Sequence, residues 1–432
     1  MHDLWSRIAG RRTKGTEQQA HCSVLDLGTE QVKALVLELQ PSMCAVIGAG
    51  RAFLRQPMVG GVSGSNADAG TLTRACDRAL RQAEDMTEGY YGRQVVPDWV
   101  VVGLPNRATT ADTFGATIRR PDPDRRVTDK ELREVVKRVQ RLALRQLSQG
   151  ILPLQWAQRE ALELLEAGVA DILIDGRHVK NPVGFRGGKV TVAICNVVAS
   201  SPYLRIVEAM TEELGLGVSA IASGWQALAH SVVEREAICV DIGGRSTDVM
   251  LARNGKAWRT SSIPMGGRDF TDRLAESFNL PWKEAERLKL AYSHRIMDPS
   301  GEARIRAVVK QAVDPWVVAL EDTLGRMCGD EALPHQFVLC GGGSGLPGIA
   351  EAVHSHRWMK RLDFTRHPEV RLMRPGDVAG VLDVTRQLEG QQHVTSMAIA
   401  SYAMAGTSER RHLEALLQEV KRAPVFVGGG RA

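Results

Sequence analysis

The stretch Cys239-Val240-Asp241-Ile242-Gly243-Gly244-Arg245-Ser246-Thr247-Asp248-Val249-Met250-Leu251 reads as an apolar strand, an Asp, a small-residue turn and a second apolar strand. A weaker copy, Val24-Leu25-Asp26-Leu27-Gly28-Thr29-Glu30-Gln31-Val32-Lys33, stands near the N-terminus and runs on to Leu37. A single Gly-rich turn between apolar strands is usually a plain β-hairpin. Two copies in one chain imply two similar half-sites facing one ligand. Residues without a Cβ let the backbone turn its N–H groups toward an oxyanion. Asp26 and Asp241 end the first strand of each copy, where a carboxylate can hold a hydrated Mg2+ beside phosphates. The pair predicts two phosphate-binding hairpins.

A third stretch, Phe337-Val338-Leu339-Cys340-Gly341-Gly342-Gly343-Ser344-Gly345, is an apolar strand running into a Gly-rich turn, against which a flat base can lie. With 432 residues the chain is too long for one ordinary core. Its 44% hydrophobic and 24% charged content excludes a disordered or fibrous chain. No apolar run approaches the roughly 20 residues of a membrane span, and the first residues lack a secretory core, so a cytoplasmic protein is expected. The seven cysteines form no CxxC pair and read as small buried residues of a reducing compartment. A net charge of +5 favours an anionic membrane surface, while few aromatics and no basic–aromatic runs argue against nucleic acid.

Two phosphate loops followed by a late Gly-Gly loop, in this order, resemble the actin-like ATPase superfamily, and within it the FtsA family of bacterial cell-division proteins. The resemblance covers roughly residues 22 to 405 and implies an α/β, duplicated ribonuclease H-like, two-lobe fold with an inserted small α/β subdomain of the type called 1C. The turn Asn181-Pro182-Val183-Gly184 resembles one in that subdomain. The implied divisions are a tail (1–20), a first lobe (21–114 and 204–235), the insert (115–203), a second lobe (236–406) and a C-terminal helix and tail (407–432). Within them, helices are expected at 68–86, at 129–148 behind a Thr128/Glu131 capping box, at 155–167, at 269–278 and at 395–404.

The resemblance also implies ATP and Mg2+ between the lobes. Gly28, Thr29 and Lys33 would lie on one side of the phosphates, and Gly243, Gly244 and Ser246 on the other. Gly267 and Gly341, Gly342 and Gly343 would line the nucleotide. Glu286 and Lys289 share a helix face, and the superfamily uses such a pair for ribose and base; alone, they read as a surface ion pair. Asp26 and Asp241 would hold the metal through water, and together with Gln226 they are the catalytic candidates for slow hydrolysis. Gln226 matches the superfamily's water-orienting residue by pattern, or is a polar residue at a helix start. Two departures stand out. Arg245 replaces a third Gly, either to contact the γ-phosphate or to block close approach, and Glu30 adds negative charge beside the first loop.

The implied role is a filament-forming scaffold that assembles with itself, binds FtsZ or its C-terminal peptide, and tethers the division ring to the cytoplasmic face of the membrane. Leu4, Trp5 and Ile8, with Arg7, Arg11, Arg12 and Lys14, form either a short interfacial anchor or a polar tail. The C-terminal tail lacks the aromatic and basic face expected of a membrane helix. Different classes on the same fold are a PilM-type adaptor of type IV pilus machinery and a metabolic kinase. The kinase would need a substrate-binding cluster that this sequence does not display.

Overall fold

The computed structural model describes residues 21–54, 66–148, 162–329, 331–354 and 360–405. The first hairpin comprises β1 (His21–Leu27) and β2 (Gln31–Leu39), followed by β3 (Cys44–Phe53), helix α1 (Asn66–Tyr91) and β4 (Trp99–Leu104). These strands are near-continuous apolar runs because both faces of the sheet are covered. Leu72, Ala75, Leu80 and Ala83 of α1 are buried on one side, as their spacing predicts. Gly48 and Gly50 let β3 approach that helix: a Cβ on either would lie 2.0 Å from the carbonyl oxygen of Ala83 or Ala79.

Next come β5 (Thr109–Arg119), α2 (Asp129–Ser148), β6 (Leu162–Ile174), β7 (Arg177–His178) and β8 (Lys189–Ser200). Thr128 caps α2 by accepting from the Glu131 N–H at 3.2 Å. Helix α3 (Ser201–Glu213), β9 (Gly217–Ser223) and α4 (Gly224–Ser231) lead to the second hairpin, β10 (Glu236–Ile242) and β11 (Thr247–Arg253), and then β12 (Lys256–Ile263). Helices α5 (Gly267–Phe278), α6 (Trp282–Ser293) and α7 (Pro299–Cys328) precede β13 (Gln336–Cys340), α8 (Ile349–His354), β14 (Glu369–Leu372), β15 (Val381–Asp383) and α9 (Val394–Ala405).

The duplication expected from the two hairpins extends to whole sheets. One sheet contains the order β3-β2-β1-β4-β9 and the other β12-β11-β10-β13-β14. In each, three antiparallel strands are followed by two parallel ones. Register repeats as well: Asp26 pairs with Lys33 across the first hairpin, and Asp241 with Asp248 across the second.

Each sheet then gains different strands. The first adds β15 beside β3. The second continues from β12 through β5, β8, β6 and β7. The segment expected as a separate insert thus extends the second sheet, and β5 runs across the expected 114/115 boundary. The β12–β5 seam is short, with one register pair, Arg259 with Asp112, and bonds from Thr260 Oγ1 to the backbone of Ala111.

Two sequence expectations are corrected. The helix expected over 155–167 is instead strand β6 from Leu162 onward; the residues before it lie outside the described ones. Leu, Glu and Ala favour a helix, but pairing with β8 imposes alternating burial, with two bulges absorbing the irregular spacing. The segment 374–405, expected in the second lobe, returns to the first: β15 pairs with β3, and α9 packs on β1, β4 and β9. Gly103 of β4 admits that helix, since a Cβ there would lie 2.2 Å from Ile399 Cδ1. The expected N-terminal anchor and C-terminal helix lie outside the described residues. Among the described residues, no helix is long and apolar enough to cross a membrane. Six of the seven cysteines are buried and none is paired.

Candidate functional site

The two hairpin turns close in the same way. The Gly28 N–H donates to the Gln31 carbonyl at 3.1 Å, and the Gly243 N–H to the Ser246 carbonyl at 2.9 Å. A second Gly turn braces the latter: the N–H groups of Gly267 and Arg268 donate to the carbonyls of Gly243 and Gly244, both at 2.8 Å. Any side chain at Gly266 would meet Gly243 and Ser246 backbone within 3 Å. The third Gly-rich loop closes on the same point. Gly341, at φ +80°, lies so near Asp241 that a Cβ would come 2.1 Å from Oδ1, and one on Gly343 would lie 2.4 Å from Ile242 Cγ2.

Glu286 and Lys289 are brought to this corner by α6. Lys289 Nζ contacts Glu286 at 2.8 Å and donates to the Gly267 carbonyl at 2.9 Å and to Thr271 Oγ1 at 2.8 Å. Side chains expected as a ribose and base contact therefore stand beside the loop that braces the second hairpin.

Charge is distributed unevenly. Asp26 is buried, accepting from Lys33 Nζ at 3.0 Å and from Ser396 Oγ at 2.7 Å. Asp241 faces Asp248 across its hairpin and accepts from Thr395 Oγ1 at 3.3 Å. Burial first, then the neighbouring Asp248 charge, pushes the Asp241 carboxyl up to about 7, with Lys33 opposing. Burial also raises Asp248, against hydrogen bonds led by the one from Ser262. His393, just before α9, is lowered to about 4 by burial, reinforced by Lys33 and Arg51. Thr395 and Ser396, successive residues in the first turn of α9, thus reach one aspartate of each half-site. Nothing in their sequence context marked them beyond the start of an apolar helix.

The carboxylates suit Mg2+ held indirectly. Among the described residues, no three metal-ligating side chains converge closely enough to hold an ion by themselves. Asp241 and Asp248 nevertheless carry adjacent, partly uncompensated charge, which a hydrated cation would relieve.

The turns themselves touch. Glu30 Oε1 accepts from Arg245 Nε at 2.6 Å and Oε2 from Arg268 Nη1 at 3.1 Å, so the two sequence departures are partners across the lobes. Arg268, unmarked in the sequence, completes the cluster. Gln226 is corrected: it is fully buried, donating from Nε2 to the Gly255 carbonyl at 3.0 Å and accepting at Oε1 from the Ala257 N–H at 3.3 Å. Those partners lie at the end of β11 away from the Gly243–Ser246 turn, about 20 Å along an extended strand. Both ends of the amide are engaged with backbone, so Gln226 joins α4 to β12 and does not orient water at the phosphates.

The family model for "Cell division protein FtsA" matches residues 238–425. The chain is similar to that protein of Pseudomonas aeruginosa, 27% identical over 392 residues (84% of this chain, 85% of the relative). It is similar also to those of Neisseria meningitidis, 26% identical over 362 residues (78% and 81%), and Escherichia coli, 22% over 436 residues (94% of each). Among solved structures, a chain of the PilM-PilN type IV pilus biogenesis complex superposes with a TM-score of 0.59 at 18% identity, covering 90% of this chain and 99% of that one. At that identity the likeness concerns the fold.

Proposed function

We propose that this chain, an FtsA-like member of the actin-like ATPase superfamily, binds ATP with Mg2+ between its two hairpins and serves as a filament-forming scaffold of cell division. One observation carries the nucleotide reading. Two hairpins of identical register, on two separate sheets, meet turn to turn, and one helix start donates hydroxyls to an aspartate of each.

In this reading Gly28, Thr29 and Lys33 contact the phosphates from the first lobe, and Gly243, Gly244 and Ser246 from the second. Lys33 is held in this half-site by Asp26, at 3.0 Å from its carboxylate. The loop Gly341, Gly342 and Gly343 receives the base, with Gly267, Glu286 and Lys289 along the ribose edge. Asp241 and Asp26 would hold a hydrated Mg2+ through water, and that ion would neutralise phosphate charge. Asp241 also orders water beside the terminal phosphate. Slow turnover suffices, because binding alone shifts the angle between lobes and hence the stability of a filament.

The scaffold would assemble with itself, bind FtsZ or its C-terminal peptide, and lie on the cytoplasmic face of the membrane at the division site. Leu4, Trp5 and Ile8 are the proposed membrane contacts. Pelleting and electron microscopy on anionic vesicles test this, with ATP, with ADP and with Asp241→Ala. Nucleotide-dependent filaments on lipid that are lost in the variant are expected. A monomer that binds ATP and never assembles would instead favour an adaptor role of the PilM type.

A further inference from the structure

We infer that Glu30 is a built-in occupant of the phosphate site, a carboxylate plug that Arg245 and Arg268 must release before a nucleoside di- or triphosphate can enter. The inference rests on the nucleotide reading above and deepens it. Glu30 lies in the turn of the first hairpin, its backbone fixed by the Leu54 N–H donating to its carbonyl at 2.9 Å. Its side chain crosses to the second hairpin and fills the gap above Gly244, where a Cβ would come 2.5 Å from Glu30 Cγ.

There the carboxylate is held at 2.6 Å by Arg245 and at 3.1 Å by Arg268. Two guanidinium groups on one planar oxyanion is the chemistry used for phosphate recognition. Arg268 is preset for it. Its guanidinium lies 4.5 Å from the Trp282 ring centroid, and that indole is fixed by donating to Asp272 at 2.7 Å.

A polyphosphate between the turns carries the same sign of charge as Glu30 and seeks the same donors, so carboxylate and phosphate exclude each other. Entry transfers both arginines from Glu30 to phosphate oxygens and breaks the contact between the turns. Arg245, in place of the small residue that would let the backbone approach, thus becomes a phosphate ligand whose availability Glu30 controls.

Calorimetric titration of the full chain with adenosine, Mg2+-ADP and Mg2+-ATP tests this in wild type, Glu30→Gln, and Glu30→Gln combined with Arg245→Gln. Glu30→Gln keeps the shape and removes the competing charge. It is expected to tighten ADP and ATP about tenfold, within the usual range of coupling between sites, and to leave adenosine unchanged. The added Arg245→Gln should cancel the gain for ATP. Wild-type binding with no gain in Glu30→Gln, or an equal gain for adenosine, overturns the plug and leaves the nucleotide reading standing. If neither wild type nor Glu30→Gln binds ATP while both unfold cooperatively, the nucleotide reading falls, and the plug with it.

Discussion

The first and second hairpins share a backbone and differ in what stands opposite the aspartate. Across β1 and β2 the partner of Asp26 is Lys33; across β10 and β11 the partner of Asp241 is Asp248. The first half-site is therefore internally neutral, with Ser396 adding a second donor. The second places two acidic groups side by side in a region where burial already disfavours charge. The two hairpins share a geometry and differ in the cross-strand residue, and that difference leaves the first pair charge-balanced and the second doubly acidic.

The largest expected effect comes from breaking the neutral half. Lys33→Met keeps the apolar stem and leaves Asp26 buried with one hydroxyl, and removing one partner of a buried pair costs about 3–5 kcal/mol. Urea unfolding followed by circular dichroism should show this loss, and Asp26→Asn added to Lys33→Met should restore most of it. A loss below about 1 kcal/mol for Lys33→Met would mean that the ion pair is not what neutralises the first hairpin.

The duplicated core was legible in the sequence because the Asp, Gly and cross-strand positions repeat at the same offsets, and strands buried on both faces leave continuous apolar runs. Contacts that depend on distant parts of the chain were not legible. Ser396 reaches Asp26 from 370 positions away. Glu30 and Arg245, read separately as departures from a pattern, are one contact because the lobes bring them together. Gln226 fitted a local pattern, yet its environment is set by the β11–β12 turn. Strand β6 was hidden by Leu, Glu and Ala, whose helix propensity is overridden by pairing with β8.

The second half-site should respond with the opposite sign. The folded Asp241 carboxyl is raised from 3.8 to about 7, so between those values the folded protein retains a proton that the unfolded chain has released. Stability from that proton is present below about pH 4 and is lost as pH rises toward 7. Asp241→Asn should accordingly stabilise the nucleotide-free protein at neutral pH by on the order of 1–2 kcal/mol. It should also flatten the dependence of Tm on pH between 5 and 8. Mg2+-ATP binding to wild type near pH 7 should release protons, detectable by calorimetry in buffers of different ionisation enthalpy, and Asp241→Asn should lower that release. A variant whose Tm still falls with the wild-type slope would place the titrating charge elsewhere.

The smallest effects sharpen the comparison, because α9 contacts both halves through adjacent hydroxyls. Ser396 is fully buried and donates to Asp26 at 2.7 Å, whereas Thr395 donates to Asp241 at 3.3 Å. Ser396→Ala should cost about 1 kcal/mol, toward the low end for a bond to a charged group because Lys33 continues to pair Asp26. Thr395→Val should cost about 0.5 kcal/mol at pH 5, where Asp241 is largely protonated, and more at pH 8, where the hydroxyl donates to a carboxylate. Unfolding measured at both pH values resolves that difference, and repeating it in the Asp241→Asn background should abolish the rise. If Thr395→Val keeps the same pH-dependent cost without the Asp241 carboxyl, the hydroxyl serves another acceptor, and α9 does not sense the charge state of the second hairpin.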